Sequence, residues 1–246
     1  EPCALKFVPL EEATPIAEQV GHYLPYRSSR MTITGARNHP TPLVESVAMG
    51  SIAAPIPRSQ PYVMPNCVVD GLLSDAQLET LVYATNAFER DLPGEYLPHD
   101  NGCTLQPHAD GAVYRCGYFL GDGTGAGKGR QVAAIFLDRW LRGERRHIWL
   151  SKNEALLEDA RRDWGSLGGL PLDVQPLSQW KLGQSVTMAE GILFVTYPTL
   201  RSGRVDTTRL QQILDWAGDD FDGVIAFDEA HAMANAAGGE GSRGKV

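Results

Sequence analysis

Ser74-Asp75-Ala76-Gln77 opens a run in which Leu78, Leu81, Val82 and Thr85 recur three or four residues apart. A hydroxyl N-cap with an amide three residues on, ahead of that period, predicts a helix over about 74–89. Beyond a loop rich in Gly and Pro (Pro93, Gly94, Pro98, Gly102, Pro107), continuous apolar runs alternate with amphipathic ones. Tyr114 to Leu120 predicts a strand. Lys128 to Arg142 predicts a helix carrying Ala133, Phe136, Leu137, Trp140 and Leu141 on one face. His147 to Leu150 predicts a strand. Ser151-Lys152-Asn153-Glu154 has the form of a second capping box, opening a helix with Leu156, Ala160 and Trp164 at every fourth place. Ile192 to Val195 predicts a buried strand, Leu210, Ile213, Leu214 and Ala217 stripe a helix, and Val224 to Phe227 predicts a last buried strand. Strands apolar on both faces and separated by helices mean an α/β fold, with a mainly parallel sheet covered by helices on both sides. Ligands in such sheets sit beyond the carboxyl ends of the strands, so chemistry is expected just after Leu120 and just after Phe227.

The first quarter of the chain has a different texture. Ten of the 16 prolines fall within residues 1–65. Each removes a backbone donor and biases its predecessor towards extended geometry, which predicts an irregular N-terminal arm over 1–65 ahead of a domain over 66–246. Ala36 to Leu43, with Pro40 and Pro42, reads either as a docking segment or as a plain surface strap.

Composition narrows the class. A hydrophobic fraction of 43% in 246 residues is that of a globular chain and excludes wholesale disorder. The apolar run Val132 to Leu137 is far short of the roughly twenty residues of a membrane span. The formal net charge of -8, from 22 basic and 30 acidic residues, argues against a free-standing non-specific nucleic-acid binder. Cys3, Cys67, Cys103 and Cys116 form no CxxC pair, and with no apolar leader after Glu1-Pro2-Cys3 a reducing cytoplasm is expected. A first residue that is not Met fits a fragment or a processed chain. His99, Cys103, His108 and Cys116 are zinc-capable donors, but their spacing matches no common finger. Arg139, Arg142, Arg145, Arg146 and His147 read as a solvated basic helix end or as a nucleic-acid strip.

Two segments carry chemistry. Gly121-Asp122-Gly123-Thr124-Gly125-Ala126-Gly127-Lys128-Gly129-Arg130 stands between the expected strand and the expected helix. Glycines let the backbone fold so that successive N–H groups face one anion, and the helix N-terminus adds partial positive charge. Gly123, Thr124, Gly125, Ala126, Gly127, Lys128, Gly129 and Arg130 are the expected phosphate contacts, with the Lys128 ammonium at the β and γ phosphates. The fit to the Walker A pattern is incomplete. Asp122 replaces its first Gly, and Gly129 replaces the Ser or Thr whose hydroxyl serves magnesium. The second segment is Asp228-Glu229-Ala230-His231, directly after the last apolar run. At this place Asp228 is expected to hold Mg2+ and Glu229 to activate water, with Lys128 completing the catalytic set.

These segments resemble superfamily-2 helicases and translocases, and more closely the strawberry notch family in its bacterial and plasmid-borne methylase/helicase branch. Phe119 to Arg130, Trp216 to Glu229 and Gly71 to Glu79 are similar to that family's motifs, and the likeness covers roughly 65–246. The family's loop also carries Gly after the lysine. The resemblance implies an N-terminal RecA-like ATPase domain with ATP and Mg2+ as cofactors. It places Gln77 where a glutamine reads adenine, a role that competes with helix capping. Trp149 to Lys152 and Thr196 to Leu200 lie where such enzymes touch a nucleic-acid strand, making Lys152, Thr196 and Thr199 candidate contacts, and His231 would couple the two sites. Strand-end capping is the competing reading for these residues. The family continues into a second RecA-like domain bearing an arginine finger. A chain of this extent is therefore expected to bind nucleotide but hydrolyse it slowly. The implied partners are nucleic acid, DNA in preference to RNA, and that second domain, with no membrane. The alternative is a nucleotide-switched regulatory or scaffold protein without strand separation.

Overall fold

The computed structural model describes residues 1–12, 22–99, 104–200, 203–204 and 207–233. The chain forms two compact units, Glu1–Ile135 and Phe136–Val246.

In the first unit the arm contains short elements: strands β1 (Cys3–Ala4), β2 (Phe7–Pro9), β3 (Tyr23–Pro25), β4 (Met31–Ile33) and β5 (Val44–Ser46), the one-turn helix α1 (Val47–Gly50), strand β6 (Tyr62–Val63) and helix α2 (Pro65–Val69). They pair antiparallel as β1 with β6, β2 with β4 and β3 with β5. Frequent proline keeps every strand to two or three residues. Helix α3 (Asp75–Phe88) follows with its capping box formed: Gln77 N–H donates to Ser74 Oγ and Ser74 N–H donates to Gln77 Oε1. Leu78, Leu81, Val82 and Thr85 are buried as the period predicts. The arm is tied to this helix through Glu79, whose buried carboxylate accepts from Tyr26 Oη and from Ser28 Oγ. Strands β7 (Tyr96–Pro98) and β8 (Leu105–Pro107) pair antiparallel.

The expected strand over Tyr114–Leu120 is not formed. Arg115 makes an isolated bridge to Asp91, Tyr114 O accepts from Leu92 N–H, and residues 116–120 are irregular. Gly117 interrupts the run, and Phe119 is 84% exposed, so the apolar side chains that pointed to a buried strand do not share one core face. Helix α4 (Lys128–Leu141) then begins where predicted.

The second unit holds a four-stranded parallel sheet. Its elements are β9 (Arg146–Ser151), a 3-10 turn (Glu154–Leu156), α5 (Leu157–Ser166), β10 (Val174–Pro176), β11 (Gly191–Thr196), α6 (Tyr197–Leu200), the short pair β12 (Gly203–Arg204) and β13 (Thr207–Thr208), α7 (Arg209–Ala217) and β14 (Ile225–Phe227). The order is β10-β11-β9-β14, with Ser151 level with Thr196 and Phe227 level with Leu150. The two central strands are buried on both faces. Ile148, Leu150, Leu193 and Val195 pack with Ile213 and Trp216 of α7, whereas Trp149 meets Phe136 edge-on at 5.5 Å on the opposite face. Trp164 is fully buried; its ring meets Trp140, and its indole N–H donates to Asp173.

Three elements depart from the sequence expectation. Ser151 caps no helix: it ends β9, and α5 starts only after the 3-10 turn, with Leu157 rather than Leu156 buried beside Ala160 and Trp164. The buried face of α7 is Gln212, Ile213, Trp216 and Ala217, leaving Leu210 and Leu214 exposed. Polar bonds choose that face, since Gln212 donates to the carbonyls of Lys181 and Gln184 and the Trp216 indole donates to that of Met188. Finally, β14 is an edge strand, with Ile225 46% and Phe227 50% exposed.

Strand β14 is seated through Gly223 and His147. A Cβ at Gly223 would lie 1.7 Å from Arg146 O, so only glycine admits this approach. His147 Nδ1 accepts from Val224 N–H at 3.0 Å while its ring stacks on Phe136. Burial, reinforced by Arg139, pushes the imidazole down to about 4 against a nearby Glu144 carbonyl that acts the other way. The neutral ring is the folded form and the unfolded ring titrates near 6.5. This contribution is therefore complete above about pH 6.5 and is lost as pH falls towards about 4. Between pH 7 and pH 5 the linkage predicts a loss of about 2 kcal/mol. Urea unfolding at the two pH values checks this, with the difference shrinking by that amount in His147→Gln.

Candidate active site

The phosphate loop is held by side chains from both of its flanking helices. Gly125 and Gly127 have φ of 95° and 73°, a region where glycine alone is unstrained. A Cβ built at Gly123 or Gly125 would meet nothing within 4 Å, so this stretch of backbone faces open space. A Cβ at Gly127 would strike Gln77 Nε2 at 2.5 Å. That amide donates to Ala126 O at 3.1 Å while its oxygen completes the capping box, so Gln77 ties α3 to the loop. Gln131, 1% exposed, donates to Ala126 O at 3.2 Å and to Asp122 Oδ2 at 2.9 Å. In a trans peptide the carbonyl and the following N–H point opposite ways. Two amides on Ala126 O therefore fix the direction of Gly127 N–H. Lys128 Nζ donates to the carbonyls of Asp122 and Gly123 at 3.0 and 3.3 Å. Arg130, an expected phosphate contact, donates instead to Leu72 O at 3.3 Å.

Gln131 had no signal in the sequence, since an amide three residues into a helix is ordinary. Its role predicts that Gln131→Glu, which sets a carboxylate against Asp122, weakens nucleotide binding by about tenfold, or about 1.4 kcal/mol. Titration with a fluorescent ATP analogue checks this.

The acid pair lies at the carboxyl edge of the sheet. Asp228 is held at three points: its N–H donates to Leu150 O at 2.8 Å, its carbonyl accepts from Tyr197 Oη at 2.7 Å, and Oδ2 accepts from Ser151 Oγ at 2.9 Å. Oδ1 accepts from nothing among the described residues and is the atom open to a cation. Burial, then the charges of Asp228 and Glu229, push the Tyr197 hydroxyl up to about 12, which keeps it a donor. Glu229 has φ of 53°, the sole non-glycine positive φ among the described residues. Such a conformation costs about 1–3 kcal/mol and gathers at functional sites. Its carboxylate is partly exposed, and His231 Nδ1 lies 3.1 Å from Oε2.

The same edge carries the residues read as strand contacts. Lys152 is exposed directly after β9. The hydroxyls of Thr196 and Thr199 bond each other at 2.8 Å, and Thr196 Oγ1 accepts from Thr199 N–H. They thus close the first turn of α6, the strand-end capping that was the alternative. The basic run is also structural. Arg139 and Arg142 pair with Asp138, Arg139 with Glu144, Arg146 with Asp220, and Arg145 lies over the Trp140 ring. Of the zinc-capable set, Cys103 lies outside the described residues, and among the described residues no three His, Cys, Asp or Glu side chains are grouped to hold a metal.

A glycine-rich loop leading into a helix, with an acid pair closing a parallel strand of an α/β fold, defines the class as a P-loop NTPase domain. The family described as P-loop containing NTP hydrolase pore-1 matches residues 38–245, and the chain belongs to it. Its relatives narrow that membership to the strawberry notch family. The chain is 35% identical over 229 residues to strawberry notch homolog 1 of Gallus gallus, covering 88% of this chain and 17% of that protein. It is 36% identical over 225 residues to human strawberry notch homolog 2, covering 89% and 15%. Against protein FORGETTER 1 of Arabidopsis thaliana it is 34% identical over 218 residues, covering 87% and 15%. The chain thus spans less than a fifth of the length of these relatives. No solved structure matches it. No helix among the described residues is long and apolar enough to cross a membrane.

Proposed function

We propose that this domain binds ATP with Mg2+ and hydrolyses it as the motor domain of a helicase- or translocase-like protein acting on nucleic acid, DNA in preference to RNA. The observation that carries the reading is the open, amide-pinned loop ending in Lys128. Loop amides and the lysine hold phosphates there, and an anion is favoured at the start of a 14-residue helix. Asp228 suits Mg2+, because Oδ1 is open while the rest of the residue is fixed. Mg2+ held there would supply positive charge to a bound nucleotide. Glu229 takes a proton from the attacking water, and His231 restrains the Glu229 carboxylate. Lys152 is the strongest candidate for a phosphate contact with a strand, since its charge is uncommitted among the described residues.

An arginine finger from a second RecA-like domain would add roughly 10^3–10^5 in rate. A second reading, a nucleotide-switched scaffold, gains support from the residues read as nucleic-acid contacts. Thr196 and Thr199 spend their hydroxyls on each other, and the basic run spends its charges within the fold. ATP turnover, with and without single- and double-stranded DNA and RNA, separates the two. Stimulation by nucleic acid supports the motor; nucleotide turnover indifferent to every nucleic acid supports the scaffold.

A further inference from the structure

Gly129 leaves the phosphate loop without the hydroxyl that P-loop enzymes place after the lysine. In the general pattern that hydroxyl stands beside the metal-holding acid. A hydroxyl stands beside the acid here as well, from a different element. Ser151, the last residue of β9, is 0% exposed and donates to Asp228 Oδ2 at 2.9 Å. It serves no helix cap, because the turn that follows starts at Glu154 without a side-chain cap. Nor can water compete easily for a fully buried hydroxyl.

We infer that Ser151 is a positioning residue for the Mg2+-holding carboxylate, its buried hydroxyl orienting Asp228 from the end of the adjacent strand β9. This rests on the nucleotide-Mg2+ reading given above and deepens it. The geometry assigns each atom a task. Leu150 O and Tyr197 Oη fix the Asp228 peptide from its two ends. Ser151 Oγ then sets the rotation of the carboxylate by occupying Oδ2, so that Oδ1 alone is presented. A hydroxyl has one proton, and here it is committed to the acid. Ser151 therefore acts through Asp228. Outer partners of a ligand that fix its orientation typically change metal affinity by about 10- to 100-fold when removed.

The test is the Mg2+ dependence of binding of a fluorescent ATP analogue by the 246-residue chain, measured by fluorescence without turnover. In Ser151→Ala the Mg2+ concentration for half-maximal tightening rises about tenfold, while affinity in EDTA stays within about twofold of the unaltered chain. In an Asp228→Asn background the same substitution produces no further shift, because the group it orients is gone. Ser151→Thr, which keeps the hydroxyl, retains the unaltered Mg2+ response and carries the test should the alanine chain fail to fold. An unchanged Mg2+ response in Ser151→Ala, a shift that persists undiminished beside Asp228→Asn, or a lost response in Ser151→Thr overturns the inference. An unaltered chain whose nucleotide binding ignores Mg2+ overturns the underlying reading as well, which is a distinct result from a responsive chain indifferent to Ser151.

Discussion

Glu229→Gln slows nucleotide turnover by roughly 10^2–10^4-fold while nucleotide affinity is preserved. The substitution changes one oxygen to an amide and little else. It keeps the length of the side chain and the backbone at φ 53°, and an amide can still meet His231. It removes the capacity to accept a proton, which is the task assigned to this carboxylate. A loss confined to turnover therefore separates the chemical role from a structural one. Phosphate release over long incubations, paired with analogue binding, checks both halves. Equal losses of affinity and turnover would place Glu229 among the binding groups instead. Glu229→Ala is a poorer probe, because it also removes the contact with His231.

Lys128→Ala removes about 3 kcal/mol of transition-state stabilisation, a fall of about 10^2-fold in turnover, and weakens nucleotide binding as well. Among the described residues the lysine is not tied to any acid. Its ammonium rests on the carbonyls of Asp122 and Gly123, neutral partners that a phosphate readily replaces. Its charge is thus available to the ligand at small cost. The scaffold of the loop does not depend on it, since Gln77 and Gln131 hold Ala126 O independently. Unfolding measurements should show the variant as stable as the parent chain. Unchanged affinity and turnover would remove Lys128 from the site.

How far the sequence could be read depended on whether the relevant force leaves a local pattern along the chain. Burial leaves an unbroken apolar run along β9 and β11 and a helical period along α3, and those elements stand where these patterns put them. The phosphate loop was legible for a different reason, because glycine spacing encodes backbone conformation directly: Gly125 and Gly127 do adopt positive φ. What escaped was set by single polar contacts between residues distant in sequence. Gln131 reaches back nine residues to Asp122, and Ser151 reaches 77 residues to Asp228; neither pairing has a local signature. Ser151 was even misread, since Ser-x-x-Glu has the form of a capping box whatever the hydroxyl bonds. The face of α7 was chosen by Gln212 and Trp216 bonding to loop carbonyls, against the more apolar Leu210 and Leu214. The run at Tyr114–Leu120 shows the opposite failure. Its apolar content was real, but Gly117 and an exposed Phe119 leave it without a shared buried face.

The claim beneath all of this is that the pinned loop grips the phosphates of a magnesium nucleotide. Calorimetric titration of a slowly hydrolysed ATP analogue into the 246-residue chain tests it most directly. Saturable binding at one site per chain is expected, tightened by Mg2+, displaced by ADP and weakened in Lys128→Ala. The absence of saturable binding, or binding that neither Mg2+ nor Lys128→Ala alters, would contradict it.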